Sequence, residues 1–428
     1  MTAQARLDTA MVQNATDKAG APRVLLVGYN GANNTGSETR LLSIIDDVRA
    51  VLGPDAQITV PTLNEKNLRR YLKEGPNLRI EPVPSIFFFA LKRLVRQSDL
   101  VMLVEGSCYM DTWTTALLLA FTSATKYASA AGKATMAYAV DAGELSPTNQ
   151  KRVRTEASKT DLIITRTGAA SERLKALGVT APLEVTADTA FTYEPEKADE
   201  GFLRRSWPGT GKAVAGLSVV DFHLWPVVVR LFGKAEHCYR WPYYFSRTSE
   251  RCRCSLELAG RWAAGADRIV EKHDLDIALL AMEELDTPLA QEVLRRMRHS
   301  GRARIFSSRD LGASKMTAVL RGLDILVTSR YHAGVLAMAK PVPMAALAHD
   351  PRLDGLFGEL GMKSDLFVDH GEPDAWARLS NIVDRLVSDR EAIIERLRAG
   401  NEAHVARARR NRTLLSEFCQ KRGWVRNG

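Results

Sequence analysis

Arg23-Val-Leu-Leu-Val-Gly28, then Tyr29-Asn-Gly-Ala-Asn-Asn34, then Ser37 to Val51 reads as a strand, a turn and a helix in immediate succession. The first segment is a short, continuous apolar run of the kind found in a strand covered on both faces. The middle segment carries Gly and Asn, the residues that tolerate a sharp turn. In the third, Leu41, Leu42, Ile44, Ile45 and Val48 recur at helical spacing. A buried strand followed at once by an amphipathic helix is half of a parallel crossover unit.

Outward from that unit the pattern repeats. Ile58–Pro61, Asp99–Val104, Ala134–Val140 and Asp161–Thr165 read as strands, with helices over Trp113–Ala131, 148–158 and Gly168–Leu177. Between about 190 and 212 the chain turns rich in Glu, Lys, Pro and Gly, as a linker does. A second series follows. Ala213–Leu217, Asp276–Met282, Ala303–Phe306, Leu323–Thr328 and Pro343–Leu347 are strands, alternating with helices over 257–273, 288–298, 312–321 and 332–339. The expected fold is α/β: two doubly wound Rossmann-like domains in a GT-B-like arrangement, with a cleft between them. The expected divisions are a loose tail over 1–22, a first domain over 23–200, a second over 201–371 and closing helices over 372–428. Within the second domain, 221–254 lacks periodicity and reads as an insertion or lid at the cleft. The closing helices are expected over Ala375–Leu386, Glu391–Leu397 and Thr413–Cys419.

The chain has 428 residues, 45% hydrophobic and 25% charged, enough for more than one core. Its net charge of +9 admits nucleic acid, an anionic membrane or an acidic small molecule. No zinc-finger or RNP-like motif supports a nucleic-acid partner. The basic cluster Arg407, Arg409, Arg410, Arg412, Lys421, Arg422 and Arg426 reads as a solvated helix face. Five cysteines, an odd number, argue against a disulfide framework and for a reducing compartment, so the cytoplasm is expected. The first 22 residues lack the apolar stretch of a signal peptide, and no uninterrupted apolar run is long enough for a membrane span. Cys252 and Cys254, near His237 and Cys238, have spacing that suits zinc poorly, and no metal site is expected.

The sharpest chemistry lies in Leu323-Asp-Ile-Leu-Val-Thr-Ser-Arg330-Tyr-His332. Arg330 and His332 emerge where a buried strand ends and a helix begins, and unpaired N–H groups and the helix dipole there attract anions. Arginine adds a planar fork for phosphate or carboxylate, and histidine moves a proton near neutral pH. The structural alternative is a salt-bridged Arg330 and a capping His332. Carboxylates near predicted strand ends are Glu105, Asp111, Glu283, Glu284 and Asp286. Glu283 is preferred as a base, because the buried strand before it should end at the cleft. The loop Asn33-Asn34-Thr35-Gly36 precedes a helix and offers backbone N–H groups to an anion or acceptor.

Ser329-Arg330-Tyr331-His332 with its apolar helix, and Pro341 to Leu353 with Asp350-Pro-Arg352, resemble the Ser-Arg-Leu-His and Tyr-Asp-Pro-Lys segments of the polysaccharide pyruvyl transferase family. Gly28 to Glu38 is similar to that family's Gly-Asn-Thr-Gly-Asp-Glu loop, and Val104-Glu105-Gly106-Ser107 to its glycine-rich Gly-Gly-Gly-Ser. The likeness is spread from 23 to about 361. Departures are Ser37 where an acidic residue is usual, Glu105 and Cys108 in the glycine-rich turn, and no arginine over Leu217–Val220. The resemblance implies transfer of a pyruvyl group from phosphoenolpyruvate, as co-substrate, to a hydroxyl of a sugar-containing acceptor, with no other cofactor. It implies Arg330, His332 and Arg352 on the donor, His332 also as general acid, and Asn33, Asn34, Thr35, Gly36, Glu105 and Ser107 on the acceptor. Two other classes stay open: a GT-B glycosyltransferase using a nucleotide sugar, and a non-catalytic glycan- or partner-binding protein.

Ile86-Phe-Phe-Phe-Ala-Leu-Lys92-Arg93-Leu-Val-Arg96 sets three aromatics beside a basic cluster. It reads either as a crossover helix with every apolar residue against the sheet, or as an interfacial helix that meets anionic lipid at the inner face of a membrane.

Overall fold

The computed structural model describes residues 22–112, 114–224, 227–234, 238–348 and 350–425. Outside these lie all of the expected tail but Pro22, and also Trp113, His237, His349 and Arg426. Seven strands form one parallel sheet: β1 (Arg23–Val27), β2 (Gln57–Thr62), β3 (Leu78–Pro82), β4 (Leu100–Leu103), β5 (Ala134–Val140), β6 (Leu162–Thr165) and β7 (Leu183–Val185). Their order is β3-β2-β1-β4-β5-β6-β7. Strand order reverses between β1 and β4, which puts a crevice at the carboxyl ends of those two strands.

The second sheet repeats the design. It contains β8 (Val214–Ser218), β12 (Asp276–Ala281), β13 (Ala303–Ser307), β14 (Ile325–Thr328), β15 (Met344–Ala348) and β16 (Phe367–Asp369) in the order β13-β12-β8-β14-β15-β16. All its strand pairs are parallel. The fold is therefore α/β with two Rossmann-like domains, as the alternating pattern predicts. Central strands are buried along their whole length, as in β4, β5, β8, β12, β14 and β15, because helices cover both faces.

Three features differ from the sequence reading. The edge strands β3, β7 and β16 escape it, because Arg79, Glu81, Glu184 and Asp369 break their apolar runs, as is usual at sheet edges. The stretch 221–254 is not irregular throughout. It holds a small antiparallel sheet of β9 (Val227–Val229), β10 (Cys238–Arg240) and β11 (Tyr243–Phe245), and from Ser249 it is already helix. The helices expected at Glu391–Leu397 and Thr413–Cys419 are one helix, Arg390–Lys421.

That last helix belongs to both domains. Ile393, Leu397 and Ala408 bury in the second core, whereas Leu414, Leu415, Phe418 and Cys419 bury against the first. Each large apolar side chain so buried contributes about 1.5–3 kcal/mol. Between the two groups, Asn411 donates to Ala187 O at 2.9 Å and Arg412 Nε reaches Asp47 at 2.7 Å. Part of the C-terminal basic cluster is thus engaged in ion pairs, including Arg422 with Asp161 at 2.9 Å, rather than being a purely solvated face.

Candidate functional site

The carboxyl ends of both sheets face each other across one cavity of about 320 Å³. Its floor is a seam where the first domain's turn is stitched to the second domain. Thr35 N donates to Met282 O and Glu284 N to Asn33 O, both at 2.9 Å, so residues 33–35 pair with 282–284 as a short antiparallel bridge. Asn33 has φ +50°, a conformation asparagine tolerates. Its side-chain amide donates to Glu284, and its carbonyl accepts from Ser308 Oγ. Asn33 and Thr35, both expected on the acceptor, are therefore corrected: they face the seam and do not line the cavity. Asn34 does line it, and caps the helix Thr35–Leu52 by accepting from Ser37 N at 3.1 Å.

Of the other sequence candidates, Gly36, Glu105, Ser107, Glu283, Arg330, His332 and Arg352 all line the same cavity. Gly36 has a steric reason to be glycine. A Cβ there would stand 2.0 Å from His332 Nδ1, so the imidazole of one domain rests directly on the first helical turn of the other. Ser37 and Glu105, two departures from the family pattern, are bonded to each other, with Ser37 Oγ donating to Glu105 at 3.0 Å. The second Glu105 oxygen accepts from Gly106 N at 2.8 Å. A carboxylate missing from the helix start is thus supplied by the turn opposite. Asp111 lies apart: it accepts from Ser146 N, Ser146 Oγ and Asn149 at the start of the helix Pro147–Ala157, a structural role.

Arg330 is not the exposed strand-end arginine the sequence suggests. Its Nε reaches Asp286 at 2.9 Å and its Nη2 reaches Glu283 at 3.0 Å, with a second bond from Nη2 to Asp286. Both carboxyls are almost fully buried. One cation between two buried acids leaves an excess of negative charge. Burial pushes Glu283 up to about 7, with repulsion from Asp286 and Glu105 opposing the pull of Arg330. Burial likewise raises Asp286. At neutral pH, Glu283 is poised between its two protonation states. Arg352 pairs with Asp350 beside this group.

Behind His332 stands a second cluster that sequence reading missed. Asp188, fully buried, lies 2.8 Å from Arg40 Nη1 and also binds Arg166, whose Nε reaches Asp141 at 3.0 Å. Against the penalty of burial, Arg40 and Arg166 hold Asp188 well below the usual carboxylate range. His332 Nε2 approaches Asp188 Oδ2 at 3.4 Å, too poorly aligned for a hydrogen bond. Burial, with Arg166 and Arg40 nearby, lowers the His332 pKa despite Asp188, which favours the neutral ring. Asp141, Arg166 and Asp188 each follow a strand, β5, β6 and β7, within three residues. That position was the available signal for Asp141 and Arg166. Arg40, in mid-helix, offered none.

Among the described residues no three His, Cys, Asp or Glu side chains gather to hold a metal. Cys252 and Cys254 sit two apart on one helix, a spacing that turns them to different faces.

The fold has solved relatives. A putative UDP-N-acetylglucosamine 2-epimerase from Listeria monocytogenes superposes with a TM-score of 0.59 at 12% identity, over 94% of this chain and 97% of that one. A UDP-GlcNAc 2-epimerase from Neisseria meningitidis bound to UDP-GlcNAc gives 0.59 at 9% identity, over 93% and 100%. One from Methanocaldococcus jannaschii gives 0.53 at 12%, over 84% and 91%. At such identities the likeness is of fold, two Rossmann-like domains in the GT-B manner. No curated protein matches the sequence. The profile of one sequence family does, over residues 41–351, and that span covers most of both sheets and the cavity between them. With the resemblance in its strand-end loops, this match shows that the chain belongs to the polysaccharide pyruvyl transferase family.

Proposed function

We propose that this chain transfers the pyruvyl group of phosphoenolpyruvate to hydroxyls of a sugar-containing acceptor and closes a cyclic ketal. The observation that carries the reading is the placement of Glu283, poised near neutral pH, between Arg330, Arg352 and His332 on one side and the first-domain residues Asn34, Glu105 and Ser107 on the other.

The chemistry asks for little else. The methylene carbon of the enol takes a proton and the adjacent carbon becomes cationic. An acceptor hydroxyl oxygen adds there and releases its proton. Phosphate then departs with the electron pair of its C–O bond, and a second hydroxyl adds and loses its proton. Of the two protons released, one replaces that taken by the methylene and the other leaves on phosphate. Arg330, held at Nε and Nη2 by Asp286 and Glu283, keeps Nη1 for the donor's phosphate or carboxylate. His332, whose basicity burial lowers, gains it back beside a phosphate dianion and so hydrogen-bonds it or supplies the methylene proton. Glu283 receives the acceptor's proton.

The test is phosphate release on incubation with phosphoenolpyruvate and a panel of glycan acceptors, alongside calorimetry with phosphoenolpyruvate and with UDP-GlcNAc. The expected result is acceptor-dependent phosphate release and binding of phosphoenolpyruvate. Binding of the nucleotide sugar alone, with no phosphate release from any acceptor, would replace this reading with a nucleotide-sugar one.

A further inference from the structure

Large apolar side chains left in solvent are unevenly distributed over this molecule. Of the ten among the described residues, seven fall in two short segments, 86–89 and 229–241. In the first, Phe87 turns inward onto the core and the cavity, whereas Ile86, Phe88 and Phe89 face solvent, Phe89 at 87% exposure. In the second, Val229 at the end of β9 and Leu231, Phe232 and Trp241 in the links between strands are exposed, Phe232 at 89%. The crossover-helix reading, with every apolar residue against the sheet, is therefore corrected.

The two segments adjoin. Arg240 donates from Nε to Ser85 Oγ at 3.1 Å and from Nη1 to Leu63 O, and Trp241 Nε1 donates to Leu231 O at 3.3 Å within the hairpin. Their inner faces line the cavity through Ser85, Phe87, Arg240 and Tyr243. Their exposed apolar side chains lie on either side of the contact that Arg240 and Tyr243 make with Ser85, and together they are the apolar lip of the cavity. Lys92, Arg93 and Arg96 on the helix, and Arg230 and Lys234 on the hairpin, are exposed around that lip, with Glu81 engaging Arg93.

We infer that this lip docks onto the anionic surface of a lipid bilayer, with its aromatic side chains entering the headgroup region and its basic rim meeting acidic lipid. Aromatic side chains flanked by Lys and Arg, without a spanning segment, are the composition of an interfacial contact. No helix among the described residues is long and apolar enough to cross a membrane. The rim's charge also disfavours a second copy as occupant, because a two-fold contact through the same patch brings like charges together. Docking does not depend on which reaction the cavity performs.

The test is co-sedimentation of the full chain with vesicles of phosphatidylcholine, alone or with about one-third phosphatidylglycerol, at about 0.05 and 0.5 M salt. The wild type is expected to pellet with the anionic vesicles at low salt and to be released at high salt. Lys92→Glu/Arg96→Glu should weaken this binding about thirtyfold, and Phe89→Ser/Phe232→Ser at least about tenfold. All four side chains are solvent-facing, so circular dichroism and phosphate release on a soluble acceptor should stay at wild-type level. Wild-type protein that remains in the supernatant with every vesicle overturns the inference. So does self-association that Phe89→Ser/Phe232→Ser abolishes without any vesicle binding, since the patch would then be covered by a second copy.

Discussion

Two buried charge clusters flank the cavity, one from each domain, and their balance of charge is different. Behind His332, Arg40 and Arg166 meet Asp188 and Asp141, two cations with two anions, each cation held to a carboxylate by direct contact. Beside the cavity, Arg330 alone faces Glu283 and Asp286. In the balanced cluster, against the penalty of burial, Arg40 and Arg166 hold Asp188 well below the usual carboxylate range. In the unbalanced one, burial and the repulsion of Asp286 push Glu283 up to about 7. Similar residues near the carboxyl ends of strands thus form a charge-matched scaffold in one domain and leave the other with a carboxyl poised near neutral pH.

The most damaging way to break the scaffold is Asp188→Ala. It strands the buried Arg40 guanidinium and leaves Arg166 with Asp141 alone, a loss of about 3–5 kcal/mol that urea unfolding should register. Asp286→Asn should cost clearly less, because Glu283 still faces Arg330. If the two substitutions are equally destabilising, the contrast between the clusters fails.

Glu283→Gln probes the other half of the contrast. Turnover should fall about 100- to 10,000-fold if the carboxylate takes the acceptor's proton, while the urea midpoint holds, since a neutral amide fits a site that already tolerates the protonated acid. A variant with wild-type phosphate release would remove Glu283 from the chemistry. Arg330→Ala is a poorer probe, because it leaves two buried acids unpaired and confounds donor binding with folding.

A subtler break uses the contact between domains. Gly36→Ala drives a methyl into the His332 ring, and misplacement of that ring should cost about 10- to 100-fold in turnover. The double variant Gly36→Ala/His332→Ala should regain the urea midpoint but not the rate. Failure to recover stability would mean that something other than the ring is displaced.

The smallest effect is on pH. Glu38, buried near Asn67 and the Arg70 side chain that reaches Ser308 across the seam, is pushed by burial up to about 8 from an ordinary 4.5. A carboxyl whose folded pKa is raised binds more protons folded than unfolded. Its contribution is complete below about 4.5 and is lost as pH rises through about 8. Glu38→Gln should therefore flatten the fall of stability over that range, read as the wild-type minus variant difference in urea midpoint at several pH values. A difference that does not vary with pH would place Glu38 in an ionised state.

Much of this was legible from the sequence because buried parallel strands write themselves as unbroken apolar runs. The residue following such a run lies at the carboxyl edge of a sheet, and that is how Glu283 and Arg330 were found. The same rule points to Asp141 and Arg166, directly after β5 and β6, where no resemblance drew attention to it, but not to Asp188, because Glu184 breaks the run of β7. Arg40 is different in kind: a mid-helix arginine looks solvent-facing until Val104 O and Ala139 O are seen to accept from it. Asn33 and Thr35 were misassigned because the turn's pairing with residues 282–284 is a contact between domains, with no local signature.

The single helix Arg390–Lys421 has a consequence for the order of assembly. Leu414, Leu415, Phe418 and Cys419 fill one side of a core whose other walls come from residues synthesised hundreds of positions earlier. A nascent chain ordinarily folds its amino-terminal domain first. Here that domain would wait, with Leu41, Ile45 and Tyr138 lacking their final neighbours, until residues 414–419 have left the ribosome. A stop codon after residue 410 would remove Leu414, Leu415, Phe418 and Cys419, none of them lining the cavity, and yet leave the first domain open to solvent on that side.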